Sequence, residues 1–154
     1  MNRTPTVCNS SPLIALEQIG HLFLLRDLFD EVLVPVAVVS EVPPTTSAPS
    51  WIVRRPCTLR LAPHLLSPRL GAGECEAISL AVEVSAARII LDDRPARRTA
   101  QALGLTTIGT LGILLAAKRK GFIPAIRPLT DALGAAQFRA SAALIRQLLV
   151  DAGE

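Results

Sequence analysis

RIILDDRPARRTAQALGLTTI, Arg88 to Ile108, is the stretch whose reading decides the fold. Arg88-Ile89-Ile90-Leu91 is a short apolar run of the kind that forms a strand buried on both faces, and it ends at Asp92-Asp93. Arg94 to Leu103 reads as a helix with Gly104 beyond it, and Leu105 to Ile108 as a second short strand.

The same alternation continues outward. Upstream, Glu74 to Val84 is a helix behind the break Gly71-Ala72-Gly73. Thr6 to Asn9 is β-prone and runs into Ser10-Ser11-Pro12, where a serine followed by proline signals a helix start. That helix carries Leu13, Ile14, Leu16 and Ile19 at helical spacing and ends at Gly20. A second helix fits Leu22 to Phe29, a strand Glu31 to Val34, and a helix Val36 to Val42 closed by Pro43-Pro44. Pro43 to Ser50 reads as a surface loop, and Trp51-Ile52-Val53 and Thr58 to Leu61 are both candidate strands. Downstream, helices are expected at Thr110–Lys120, near Ile126–Ala135, and at Ser141–Ala152 with Ser141 as cap. Short apolar strands alternating with helices imply an α/β fold, a central parallel sheet covered on both faces.

The 154 residues suit one domain with a sizeable core. Half the residues are apolar and 19% are charged, which excludes extended disorder. Aromatics are 3%, with no Tyr, so the core must be aliphatic, and the same scarcity argues against a base-stacking platform of the RRM or OB type, which needs aromatic faces. Residues 78–154 carry ten Lys/Arg against six Asp/Glu, a balance that suits a polyanionic partner, although charge alone favours an ordinary solvated surface. Three widely spaced cysteines without a CxxC argue against a zinc site or a disulfide framework and suit a reducing cytoplasm. No stretch reads as a signal peptide or a membrane span.

In a parallel α/β sheet, ligands bind at the C-terminal ends of the strands. Asn9 and Ser11 follow the first strand, Glu41 lies in the helix after the second, Glu74 and Glu76 open a helix, and Asp92 and Asp93 end the next strand. Carboxylates gathered on one edge repel one another unless a hard cation sits among them, and oxygen ligands without His or Cys point to Mg²⁺ or Mn²⁺. Each residue also has a plainer role. Glu74 and Glu76 complement a helix dipole, Asp92 or Asp93 caps a helix, Glu41 faces solvent, and Asn9 and Ser11 organise a turn. A dinucleotide site is disfavoured, because Glu76 holds the third glycine position after Gly71 and Gly73, and no Walker A sequence exists.

The arrangement resembles the PIN-domain family of prokaryotic Mg²⁺-dependent ribonucleases over nearly the whole chain. The resemblance rests on Asn9-Ser10-Ser11-Pro12-Leu13-Ile14, Val34-Pro35 with Val38-Val39-Ser40-Glu41-Val42, and Gly71-Ala72-Gly73-Glu74-Cys75-Glu76-Ala77-Ile78. It continues through Leu91-Asp92-Asp93-Arg94 with Ala96-Arg97, then Gly109-Thr110-Leu111-Gly112 and Lys118-Arg119-Lys120-Gly121. It implies a three-layer α/β/α fold as a single PIN-like domain over 1–154. The family's acidic site falls on Asn9, usually Asp, with Ser11 two residues on; on Glu41; on Glu74, or Glu76; and on Asp93 or Asp92. The implied activity is hydrolysis of RNA by cation-activated water, leaving a 5′-phosphate and a 3′-hydroxyl, with Glu41, Glu74 and Asp93 as the principal ligands. The rival reading is a catalytically weakened RNA- or protein-binding module, because the amide of Asn9 can ligate a cation only without charge.

Arg94 and Arg97, with Arg98 and Lys118 to Lys120 behind them, are candidates to meet phosphates; the plainer role of all of them is a solvated helix face. The resemblance also implies a small antitoxin partner, and the high apolar content implies a homodimer in the cytoplasm, with no membrane attachment.

Overall fold

The computed structural model describes residues 4–41, 49–59, 61 and 69–154, with 39–41 by backbone alone. Five strands form one parallel sheet: β1 (Thr6–Cys8), β2 (Val32–Pro35), β3 (Ile52–Arg55), β4 (Arg88–Ile90) and β5 (Thr107–Ile108), in the spatial order β3-β2-β1-β4-β5. The chain builds outward from β1 to β3 on one side, then crosses to lay β4 and β5 on the other. The order therefore reverses between β1 and β4, which opens a crevice at their C-terminal ends. In register, Thr6, Val7 and Cys8 face Arg88, Ile89 and Ile90, and the Asn9 amide still donates to the Ile90 carbonyl at 3.1 Å.

Alternation along the strands divides the core. Cys8, Val32, Val34 and Ile90 pack under α1 (Ser10–Gln18), α2 (Phe23–Leu28), α6 (Thr110–Arg119), α7 (Arg127–Ala135) and α8 (Ala142–Asp151). Val7, Leu33 and Ile89, with Leu91 just beyond β4, pack under α4 (Ala72–Glu83) and α5 (Arg94–Ala102). The result is three layers, α/β/α, as expected. The largest fully buried side chains are all Leu or Ile, the aliphatic core that the scarcity of aromatics requires. Burial of each such side chain contributes roughly 1.5–3 kcal/mol.

Three local expectations shift. Helix α1 is capped by Asn9 rather than Ser11, which puts Pro12 third in the helix instead of first. Helix α4 begins at Ala72, so Glu74 is its third residue. Of the two candidate strands, β3 forms and Thr58-Leu59 does not; the Thr58 amide and hydroxyl instead donate to the Glu83 carboxylate, which takes Thr58 away from any ladder. The expected Ser141 cap is in place, its hydroxyl accepting from the Leu144 amide at 3.1 Å. The short α3 (Val36–Glu41) leaves the C-terminal end of β2. The predicted continuation to Val42, the Pro43-Pro44 stop and most of the predicted loop, as well as Arg60, lie outside the described residues.

Candidate active site at the strand ends

A cleft of about 800 Å³ opens where the strand order reverses, and Asn9, Ser11, Glu74, Asp92, Asp93 and Arg94 line it. Its far wall is the segment after α7, with Gln137, Phe138 and Arg139. That segment turns back through Gln137, whose φ of 65° places a non-glycine residue in the left-handed region. Sequence reasoning did not single out these residues, because no period marks which loop folds over a distant sheet edge.

Asn9 is 4% exposed, and its side-chain oxygen has no hydrogen-bond partner among the described residues. A cap residue of this type ordinarily accepts from the amide of the second or third helical residue. Here the third is Pro12, which has no N–H, and the cap bond is not made. Leaving a buried carbonyl unpaired costs roughly 1–3 kcal/mol, so a donor or a cation arriving there recovers that loss.

Asp92 is held from across the sheet edge. Its Oδ1 accepts from the Thr110 amide and its Oδ2 from the Thr110 hydroxyl, both at 2.7 Å. Burial raises its pKa above the usual carboxylate value, against the lowering effect of the two Thr110 bonds and of Arg97. Gly109 makes this packing possible, since a Cβ there would lie 2.9 Å from an Arg97 guanidinium nitrogen and 3.0 Å from Asp92 Oδ1. Asp93 caps α5, with Oδ2 accepting from the Ala96 amide at 3.0 Å. Glu74 reaches back to the Gly71 amide through Oε2 at 2.8 Å. A side chain at 71 would strike that oxygen, so glycine suits the position. The plainer roles of Asp93 and Glu74 are therefore real, and each uses one carboxylate oxygen and leaves the other.

Of the acidic positions, Glu74 rather than Glu76 lines the cleft. Glu41 is the last residue of α3, which packs against α1 and α4, and its side chain lies outside the described residues. Arg94 lines the cleft, while Arg97 lines an adjoining pocket. Lys118 pairs with Glu154 at 2.8 Å, and Arg98, Arg119 and Lys120 are exposed away from the cleft lining.

The donor set suits a hard cation in kind. Its donors are all oxygen, one is a buried orphan, and Asp92 is a carboxylate that burial disfavours in charged form and positive charge would favour. Among the described residues, no three His, Cys, Asp or Glu side chains gather closely enough to hold a metal ion. A complete ligand set from this chain would therefore draw on the Asn9 amide and on Glu41.

A parallel α/β/α sheet with acidic and amide oxygens at its switch point defines a class of protein whose site lies at the strand ends. The chain belongs to the PIN-domain family: the family model DUF3368, described as a PIN domain, matches residues 5–154. Among solved structures it is similar to a PilT N-terminus domain protein from the hyperthermophilic archaeon Sulfolobus solfataricus P2. The TM-score is 0.56 at 18% identity, over 73% of this chain and 92% of that one, a likeness of fold. No curated protein matches the sequence. No described helix is long and apolar enough to cross a membrane.

Proposed function

We propose that the protein is a Mg²⁺- or Mn²⁺-dependent ribonuclease. The observation that carries this reading is the buried Asn9 oxygen, unpartnered among the described residues, on a residue that lines the same cleft as Glu74, Asp92 and Asp93. Asn9, Glu41, Glu74, Asp92 and Asp93 would hold the cation, with Ser11 beside them. When bound, the cation would lower the pKa of water and offset charge on the phosphodiester oxygens. The protein's own contribution is placement. Thr110 fixes both oxygens of Asp92, the α5 amide fixes Asp93, and Arg94 and Arg139 supply positive charge for a phosphate across the cleft.

A second reading, a binding module with weakened chemistry, is favoured by one specific observation. Glu74, Asp92 and Asp93 each already accept from a backbone amide, and the first position carries no charge.

Mn²⁺ titration by calorimetry, together with hydrolysis of single-stranded RNA with and without chelator, separates the two. The ribonuclease reading expects saturable Mn²⁺ binding that Asp92→Asn weakens at least tenfold, and cleavage that chelator abolishes. RNA binding without metal-dependent cleavage would instead support the binding module. The same reading brings a small antitoxin and a second copy of the chain as partners. Light scattering at micromolar concentration checks the dimer, and a monomeric mass counts against it.

A further inference from the structure

A second pocket, of about 390 Å³, adjoins the acidic cleft and shares Asp92, Phe138 and Arg139 with it. Its volume lies within the roughly 300–1,000 Å³ range of small-ligand sites. Ile108, Leu111 and Leu148 make an apolar wall from β5, α6 and α8. The rim is polar and mixed. Gln147 donates to Asp151 at 2.8 Å, which leaves the Gln147 carbonyl and the second Asp151 oxygen as acceptors, while Arg97 is a donor. Arg139 stands at the seam between the two cavities and makes no ion pair among the described residues, although carboxylates line both.

We propose that this pocket is a nucleobase subsite, taking one base of a single-stranded RNA whose adjacent phosphate lies in the acidic cleft. The inference rests on the ribonuclease reading above. A flat ligand with an apolar face and a donor-acceptor edge matches an apolar wall under a mixed polar rim. An anionic link between base and cleft matches the unpaired guanidinium of Arg139. Phe138, half-buried against the core, lines both cavities and sets one aromatic ring beside a base held there. An aliphatic ligand would leave the rim groups and Arg139 unused.

The test is anisotropy of a short labelled single-stranded RNA, read before measurable cleavage, with an abasic residue walked along the strand. Gln147→Trp fills the pocket from an exposed helix position and spares the core. One abasic position should weaken wild-type binding roughly tenfold, the scale of a lost base stack. Gln147→Trp should weaken intact RNA by a similar factor and leave that abasic RNA unchanged, because the two changes remove one interaction. If Gln147→Trp and every abasic position leave binding unchanged while wild type still cleaves, the subsite is overturned and the nuclease reading stands. If base-dependent binding persists without metal-dependent cleavage, the chemistry is retired and the subsite stands. If wild type does not bind RNA, or if Gln147→Trp alters only the oligomeric state, the subsite is overturned.

Discussion

Asp92 and Glu154 are both acids that accept hydrogen bonds from backbone and side chain, yet their titration moves in opposite directions. Glu154 accepts from Lys118 Nζ at 2.8 Å and from the Ile126 and Arg127 amides at 2.7 and 3.1 Å, and its pKa falls to about 2. The Lys118 bond is the largest cause, followed by the Ile126 amide. Asp92 has two bonds from Thr110 at 2.7 Å, and its pKa is nevertheless raised, because burial outweighs them. The first difference is burial, which penalises the charge on Asp92 and hardly touches Glu154; the second is that Glu154 has a cation in hydrogen-bond contact, whereas Asp92 has only the field of Arg97. The clasp around Glu154 holds its acid charged, and the strand edge at Asp92 opposes the charge on its acid through burial.

Removing a support from the Asp92 edge should cost the most. Thr110 is fully buried, so Thr110→Val removes the hydroxyl donor to Asp92 with little change of shape. A loss of about 1–3 kcal/mol in urea unfolding at neutral pH with chelator is expected. A loss below about 0.5 kcal/mol would mean that Asp92 does not depend on Thr110.

Asn9→Asp adds a charge at the same edge, and the sign of its effect depends on the metal. In chelator it should destabilise by about 1–2 kcal/mol through like-charge repulsion with Asp92, a fall of roughly 2–8 °C in Tm for a domain of this size. With Mn²⁺ the deficit should close or reverse, and Mn²⁺ should bind more tightly than to wild type. Equal melting shifts in both conditions would remove Asn9 from the ligand set.

Glu154→Gln tests the clasp, and the effect should be the smallest because the group is solvent-screened. A carboxylate depressed in the folded state stabilises the fold above its unfolded pKa, near 4.5, and loses that contribution as pH falls toward about 2. The variant should therefore melt below wild type at neutral pH, and the two curves should converge between pH 4.5 and 2. Parallel curves through that window would contradict the clasp.

The elements around these acids were legible in sequence to different degrees. The helix over 94–102 and the strand ending at Ile90 carry their own punctuation: an apolar run, a capping acid and a glycine beyond. The Ser141 cap was legible for the same local reason. The preference for Glu74 over Glu76 came from the family resemblance rather than from local pattern, because the helix starts two residues earlier than the apolar period indicates. The hold of Thr110 on Asp92 spans 18 residues and two strand ends, and nothing local in Gly109-Thr110 announces an acid partner. Phe138 and Arg139 reach the cleft only through tertiary packing. The sequence pattern therefore located the edge and the acids nearest each strand, while the residues that hold or face them came from contacts between distant segments.

Pro12 has a consequence beyond the shape of α1. It withholds one of the two amides that a cap oxygen at Asn9 could bond, and the described residues show no other donor on that oxygen. Restoring an N–H with Pro12→Ala would set the helix and the incoming ligand in competition for one oxygen, and affinity would drop although no contact residue had been altered. One missing hydrogen, three positions along the chain, thus helps keep the Asn9 oxygen out of the helix's own bonding.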